Sequence, residues 1–315
     1  MTGGPSVVAA VPLHTTVTVI GGDCVGPVLL ASPASEPSTR AVDADDLGNF
    51  VGDGLDYLQA AVKVVMHRWP LLIKGARIEA ASTVPVGAGV SSSAAVTVAT
   101  AGALLRFADA AVPAAATVAQ AAYDAETGQL GTGAGWMDFL ACTHGGVCRI
   151  DAGDPPRVTR LAPSLGVPML VIDTLQRRAT PGVLASKRDR YRSGDHAMRA
   201  YAMSATAIVK DLTAVLRDPS PDHAVVGALM SEAQRLLRDL VGCSTPLIDE
   251  CVRRCLASGA YGAKLTGSGY GGCLVALVPI EAIAAIHASL SDLPVRVMVF
   301  TTGEQHGVVF PPSDY

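Results

Sequence analysis

The stretch PVGAGVSSSAA, residues 85–95, constrains this chain more than any other. Glycines at 87 and 89 permit backbone angles that other residues avoid. Three hydroxyls, Ser91, Ser92 and Ser93, follow and lead into AAVTVATAGALLRFA, an Ala-rich run of strong helix formers that would be buried on most of its circumference. The glycine and serine loop therefore opens onto a helix N-terminus. Free N–H groups, the positive end of the helix dipole and the missing side chains at the glycines make a compact anion site there. The other reading is a serine N-cap after a flexible turn. The loop is not a Walker A motif, because no Gly-Lys-Ser/Thr follows, and serines after Gly89 set it apart from the dinucleotide GxGxxG.

At 315 residues the chain has room for about two domains. Its formal charge of −4 offers no basic field for a polyanion, so neither nucleic acid nor an anionic membrane surface is expected as a partner. Gly, Pro and polar residues interrupt every apolar stretch short of a membrane span. The start, MTGGPSVVAAVPL, has no Lys or Arg before its apolar run and a Pro within it, which argues against a secretory signal and for a cytoplasmic protein. Seven cysteines without CxxC pairs suggest neither a disulfide framework nor a zinc site. Cys251 and Cys255 in CVRRC would share one helix face and read as core packing. The seven histidines are dispersed, and none is a candidate ligand.

The pattern along the chain predicts an α+β protein. SVVAAVPL, TTVTVIGGD and GPVLLAS read as a small antiparallel meander, and the spacing of apolar residues over 47–69 predicts an amphipathic helix ended by Pro70. Further helices are expected over 94–108, 114–126, 136–143, 183–217 with a break, 221–241, 246–258 and 280–290. Strands are expected at ARIEAAST, GVCRID, VPMLVIDT, AKLT, CLVALV and VRVMVF. A domain boundary belongs near 155–165, giving an N-terminal stretch of 1–160 and a C-terminal stretch of 161–315.

Two more segments bear on chemistry. Glu126 and Asp138 flank GQLGTGAGWM, a glycine-rich turn able to bring both carboxylates toward one point. KLTGSGYGGC, with Gly267, Ser268, Gly269, Tyr270 and Gly271, is a second glycine-rich turn between strand-like runs. Each alone has an ordinary explanation as exposed helix-end acids and a flexible connection. Together and in this order, PVGAGVSSSAA, GWMDF and KLTGSGYGGC resemble the phosphate loop, the catalytic Gly-x-Met-Asp and the third glycine motif of the GHMP kinases, the family of galactokinase, homoserine kinase, mevalonate kinase and phosphomevalonate kinase. The resemblance spans about residues 5–310. VPMLVIDT and TPLIDECVRRCLASGAYGAK look specifically like galactokinase.

The resemblance implies a two-domain fold, an N-terminal mixed α/β domain and a ferredoxin-like α+β C-terminal domain, with ATP between them. It places the triphosphate on Gly87, Ala88, Gly89, Val90, Ser91, Ser92 and Ser93, and Mg²⁺ at Ser93 and Glu126. Oxygen ligands suit that ion, which bridges phosphate oxygens. Asp138 falls at the catalytic carboxylate, which accepts or orients the proton of the acceptor alcohol. The third glycine motif falls near the active site.

The family's Arg-bearing strand and Gly-Glu-His-Thr-Asp-Tyr segment find no match in these 315 residues, where Thr2-Gly3-Gly4 would follow them directly; a real loss and a segment encoded just upstream are the two readings. The family's Tyr-Asn-x-Arg-Arg corresponds to Leu184-Ala185-Ser186-Lys187-Arg188. Trp136, Phe139 and Leu184 would make an apolar acceptor surround, so a modified sugar or other polyol is expected as substrate and galactose is expected to be poor. A galactokinase-like sensor without activity and a kinase of a non-sugar alcohol are the alternatives. The basic stretch Arg177, Arg178, Lys187, Arg188, Arg190 and Arg192 reads as a solvated helix face; the alternative reading has one member standing in for the missing arginine.

Overall fold

The computed structural model describes residues 4–22, 25–67, 70–109, 111–176, 180–300 and 306–310, with only the backbone at 70, 71, 180, 181 and 184. Among these the strands are β1 (Ser6–Ala9), β2 (Thr15–Ile20), β3 (Val28–Ala31), β4 (Thr39–Val42), β5 (Arg77–Ser82), β6 (Val147–Asp151), β7 (Arg157–Ala162), β8 (Met169–Asp173), β9 (Gly262–Leu265), β10 (Cys273–Leu277) and β11 (Arg296–Phe300). The α-helices are α1 (Asp56–Met66), α2 (Ser92–Ala108), α3 (Ala115–Tyr123), α4 (Trp136–His144), α5 (Thr180–Arg192), α6 (His196–Leu216), α7 (His223–Leu236), α8 (Pro246–Ala257) and α9 (Ile283–Ser289).

The chain forms two compact units. The N-terminal unit draws on 13–86, 91–145 and 306–315, the C-terminal unit on 1–12, 87–90 and 146–305. Consecutive stretches of 1–160 and 161–315 do not describe this division, because β1 pairs with β6 and the chain passes into the C-terminal unit again for Gly87–Val90.

In the N-terminal unit a four-stranded sheet has the order β2-β5-β3-β4, with β3 and β5 parallel. The expected meander of the first forty residues does not form: β1 lies in another sheet, and β5 inserts between β2 and β3. Local alternation specifies that each piece is a strand, but partners are chosen by burial across the fold. α1 buries Leu58, Val62, Val65 and Met66. It begins at Asp56 rather than near 47, since Gly52 takes a φ of 90° and the Asp56 carboxylate accepts from the Gly52 and Val51 amides at 2.6 and 3.2 Å. Arg40 on β4 bridges that carboxylate (2.7 Å) and Asp53; the loop-like SPASEPST runs on into this strand, which pairs antiparallel with β3. α2 buries Thr97, Val98, Ala101 and Leu104 against the same core.

In the C-terminal unit β11-β8-β10-β9 is fully antiparallel. Numbered in sequence this is the order 4-1-3-2, with helices between the first and second and between the third and fourth strands, the ferredoxin-like arrangement. A second sheet, β1-β6-β7, shares this unit, and the unexpected β7 follows the turn at DAGDPPR. Cys251 and Cys255 are buried in the core under α8.

Candidate active site

In the N-terminal unit three helix ends converge. Ser91 caps α2 with a φ of 65° and no side-chain cap bond. A left-handed non-glycine residue costs roughly 1–2 kcal/mol, and such strain clusters at functional sites. Ala95 is the first amide of the helix to find a carbonyl, that of Ser91 at 2.9 Å, so the first-turn amides remain as donors. With Gly87 at 69° and Gly89 at 83°, every second residue of the loop has positive φ, the pattern of an anion-binding backbone nest.

α3 runs on into a π-turn, Asp124–Gln129, which carries Glu126. One extra residue in a helical turn re-aims its side chains and is often found at functional sites. Glu126 is buried, 4% exposed. Its Oε1 accepts from the Ser93 hydroxyl at 3.0 Å and from Thr132 at 3.5 Å, while Oε2 is buried with no hydrogen-bond partner. Burial pushes this carboxyl up to about 7, the Ser93 and Thr132 hydroxyls oppose the rise, and the neighbouring Asp138 charge adds to it. Thr132 fixes the loop as well, donating to the Glu126 carbonyl at 3.3 Å and accepting from the Ala134 amide at 3.3 Å.

Asp138 lies in the first turn of α4. Burial raises its pKa and the Ser91 hydroxyl draws it down. One turn on, burial and the two carboxylates push the Cys142 thiol to about 12, leaving it without thiolate character at neutral pH. The glycine-rich loop between Glu126 and Asp138 is closed by Tyr123 and Trp136, whose rings stack at 4.0 Å and 4°. Phe139 meets Tyr123 edge-on at 5.8 Å and is fully buried in the core, so it does not line an acceptor site; an α4 residue next to Asp138 faces inward by helical geometry.

In the C-terminal unit the third glycine motif forms the turn between β9 and β10. Gly267, Gly269 and Gly271 have φ of 71, 78 and 118°, and Tyr270 has 60°. A Cβ at Gly269 would lie 2.5 Å from the Cys243 carbonyl. The turn is strapped down by Tyr270 N to Cys243 O (2.6 Å), Gly272 N to Gln176 O (2.9 Å) and Thr174 Oγ1 to Gly272 O (2.7 Å). Directly after it, Cys273 N donates to Ala88 O at 2.7 Å, joining the glycine turn to Gly87–Val90. Lys264 at its start is driven down to about 8 by burial and donates to Leu265 O at 2.7 Å.

The basic stretch departs from a solvated helix face. Lys187 is buried, 2% exposed, and donates to Ser268 O at 2.5 Å. Arg190 is spent on Asp195 and the Val241 carbonyl. Arg177 and Arg178 lie outside the described residues, as do Thr2, Gly3 and the side chain of Leu184. Thr132, between two glycines in GTGAG, was passed over by sequence reasoning, and Lys187 was read there only as one of a run of like charges.

The GHMP kinases N-terminal domain model matches residues 56–146 and the GHMP kinases C-terminal model 209–292. A mevalonate kinase of Thermococcus onnurineus is 28% identical over 286 residues, 88% of this chain and 84% of that protein. Human galactokinase is 47% identical over 68 residues, 21% of this chain and 17% of its own length. Among solved structures, Lactococcus lactis galactokinase complexed with galactose superposes with a TM-score of 0.81 at 18% identity, covering 97% of this chain and 89% of that one. With both family models matched in order over more than half of the sequence, a ferredoxin-like sheet in the C-terminal unit and a mixed sheet in the N-terminal unit, this chain belongs to the GHMP kinases.

Proposed function

We propose that the protein transfers the γ-phosphoryl group of ATP to a hydroxyl of a small molecule, with Asp138 as the group that orients the hydroxyl and takes up its proton. The observation that carries this reading is the meeting of Ser93, Glu126 and Asp138 at the ends of α2, the π-turn and α4. A carboxyl whose pKa is raised by burial is a stronger base once ionised, which suits proton transfer from an alcohol. The triphosphate belongs on Gly87, Ala88, Gly89, Val90, Ser91, Ser92 and Ser93, where amides rather than side chains meet phosphate oxygens.

The donor set fits Mg²⁺. Ser93 Oγ and Glu126 offer hard oxygen ligands 3.0 Å apart, and the orphaned Glu126 Oε2 is a buried acceptor that a divalent ion would satisfy. When bound with nucleotide, the ion supplies neutralisation of the charge that phosphoryl transfer develops. Ser93 would hold its hydroxyl toward it and Glu126 would be ionised. Thr132 would keep the Glu126 carboxylate in place.

As acceptor we infer mevalonate first, supported by similarity to mevalonate kinases over 88% of the chain. A modified sugar or polyol is the second reading, supported by the denser but short likeness to galactokinase. ATP consumption by the purified protein against (R)-mevalonate, galactose and a panel of modified sugars and alcohols tests both. ADP release with mevalonate alone supports the first, release with a sugar alone the second, and no release with any acceptor contradicts the kinase reading.

A further inference from the structure

Lys187 is out of character with its surroundings. It sits on α5 among Arg188, Arg190 and Arg192, a composition that solvates, yet its side chain is 2% exposed. Withdrawing an ammonium group from water is costly unless its hydrogen bonds are made good. Here the ammonium donates to the Ser268 carbonyl at 2.5 Å and stands 5.6 Å from the centroid of the Tyr270 ring, within cation–π range. These two groups belong to the third glycine turn. Its straps at Cys243, Gln176 and Thr174 all take hold at Tyr270 or Gly272; Lys187 grips the front half of the loop, at Ser268. Among the described residues the amides of Gly267, Gly269 and Gly271 donate to no protein group. A run of unspent amides in left-handed glycines is suited to an anionic oxygen, and the Cys273–Ala88 bond places this turn beside the phosphate loop segment of the same unit.

We propose that Lys187 is a positioning residue for phosphoryl transfer: through the Ser268 carbonyl and the Tyr270 ring it holds the third glycine turn so that the Gly267 and Gly269 amides are set to receive an anionic oxygen of a phosphate held on the Gly87–Val90 segment of the same unit. The inference rests on the kinase reading but is tested separately from it. Lys187 acts through the turn, so its loss slows transfer more than it weakens nucleotide binding. Misplacement by about 1 Å from a residue outside the chemistry costs up to about 10²-fold.

Hydrogen exchange of the 265–273 segment, read by mass spectrometry in wild type, Lys187→Met and Lys187→Arg, tests the grip without any acceptor. The expected result is exchange about tenfold faster in that segment for Lys187→Met, with Lys187→Arg near wild type and other segments unchanged. In turnover with the acceptor identified by the panel, Lys187→Met is expected to lose about 10²-fold in kcat with the KM for ATP within about threefold, and Lys187→Arg to recover most of it. Unchanged exchange in Lys187→Met overturns the proposal, as does an equal kcat loss in Met and Arg variants. Calorimetric binding of a non-hydrolysable ATP analogue to the wild type reports on the kinase reading alone; if it fails while the exchange result holds, the grip stands and the reading falls.

Discussion

Glu126 joins chemistry and stability in one side chain. Its folded pKa lies above the ordinary 4.5, at about 7, so the folded state holds its proton more tightly than the unfolded chain. Stability is then intact below about 4.5 and is lost as pH rises toward and through about 7. At about 1.4 kcal/mol per pKa unit the loss is bounded near 3 kcal/mol. Glu126→Gln removes the titration, so the stability of the mutant relative to wild type, in metal-free buffer, is expected to rise between pH 5 and pH 8. Thermal melts of both proteins across that range check it; a constant difference would mean that Glu126 is not buried as described. Ser93→Ala combined with Glu126→Gln is expected to weaken nucleotide binding in Mg²⁺ more than in chelator, measured by calorimetry, and equal losses would exclude the metal assignment. The closeness of Ser93, Glu126 and Asp138 was legible only through the resemblance of the motifs that carry them, since each segment alone had an ordinary explanation. Lys187 was not, since its burial depends on a partner 81 positions away, and Phe139 was misplaced because facing a site or a core is decided by which side of α4 it occupies.

The phosphate loop, the π-turn and the third glycine turn each depend on backbone that side chains cannot mimic. Gly89, at a φ of 83°, tolerates no β-branched residue without strain. Gly89→Val is expected to cut the affinity for an ATP analogue by at least about tenfold while leaving the fold intact by circular dichroism; unchanged calorimetric binding would remove the phosphate from this loop. Element types were legible where strong helix formers or helical spacing ran long, as in α2 and α7, and where turn residues framed short apolar runs, as in β8 and β10. Pairing was not. β5 enters between β2 and β3, and β1 crosses to β6, because the core selects partners among strands that look alike locally. The late start of α1 followed from Asp56 spending its carboxylate on Arg40 and two amides, a set of contacts invisible to helical spacing.

The whole chain carries the family's three motifs on two units that are not consecutive in sequence, which is why a single boundary near 155–165 does not describe the division. What the fold supports as a catalyst is acceptor-dependent use of ATP, and binding should show in stability as well: an ATP analogue at about 100 times its Kd with Mg²⁺ adds about 2.7 kcal/mol if it binds only the folded state. The central claim, that Asp138 handles the acceptor proton in an ATP-dependent kinase, is tested most directly by turnover of wild type and Asp138→Asn with (R)-mevalonate and the sugar and alcohol panel, alongside analogue binding to both. The account predicts stoichiometric ADP and phosphorylated product from the wild type, a loss of about 10²-fold or more in kcat for Asp138→Asn, and analogue affinity little changed. Full turnover by Asp138→Asn on the acceptor that the wild type phosphorylates would contradict it.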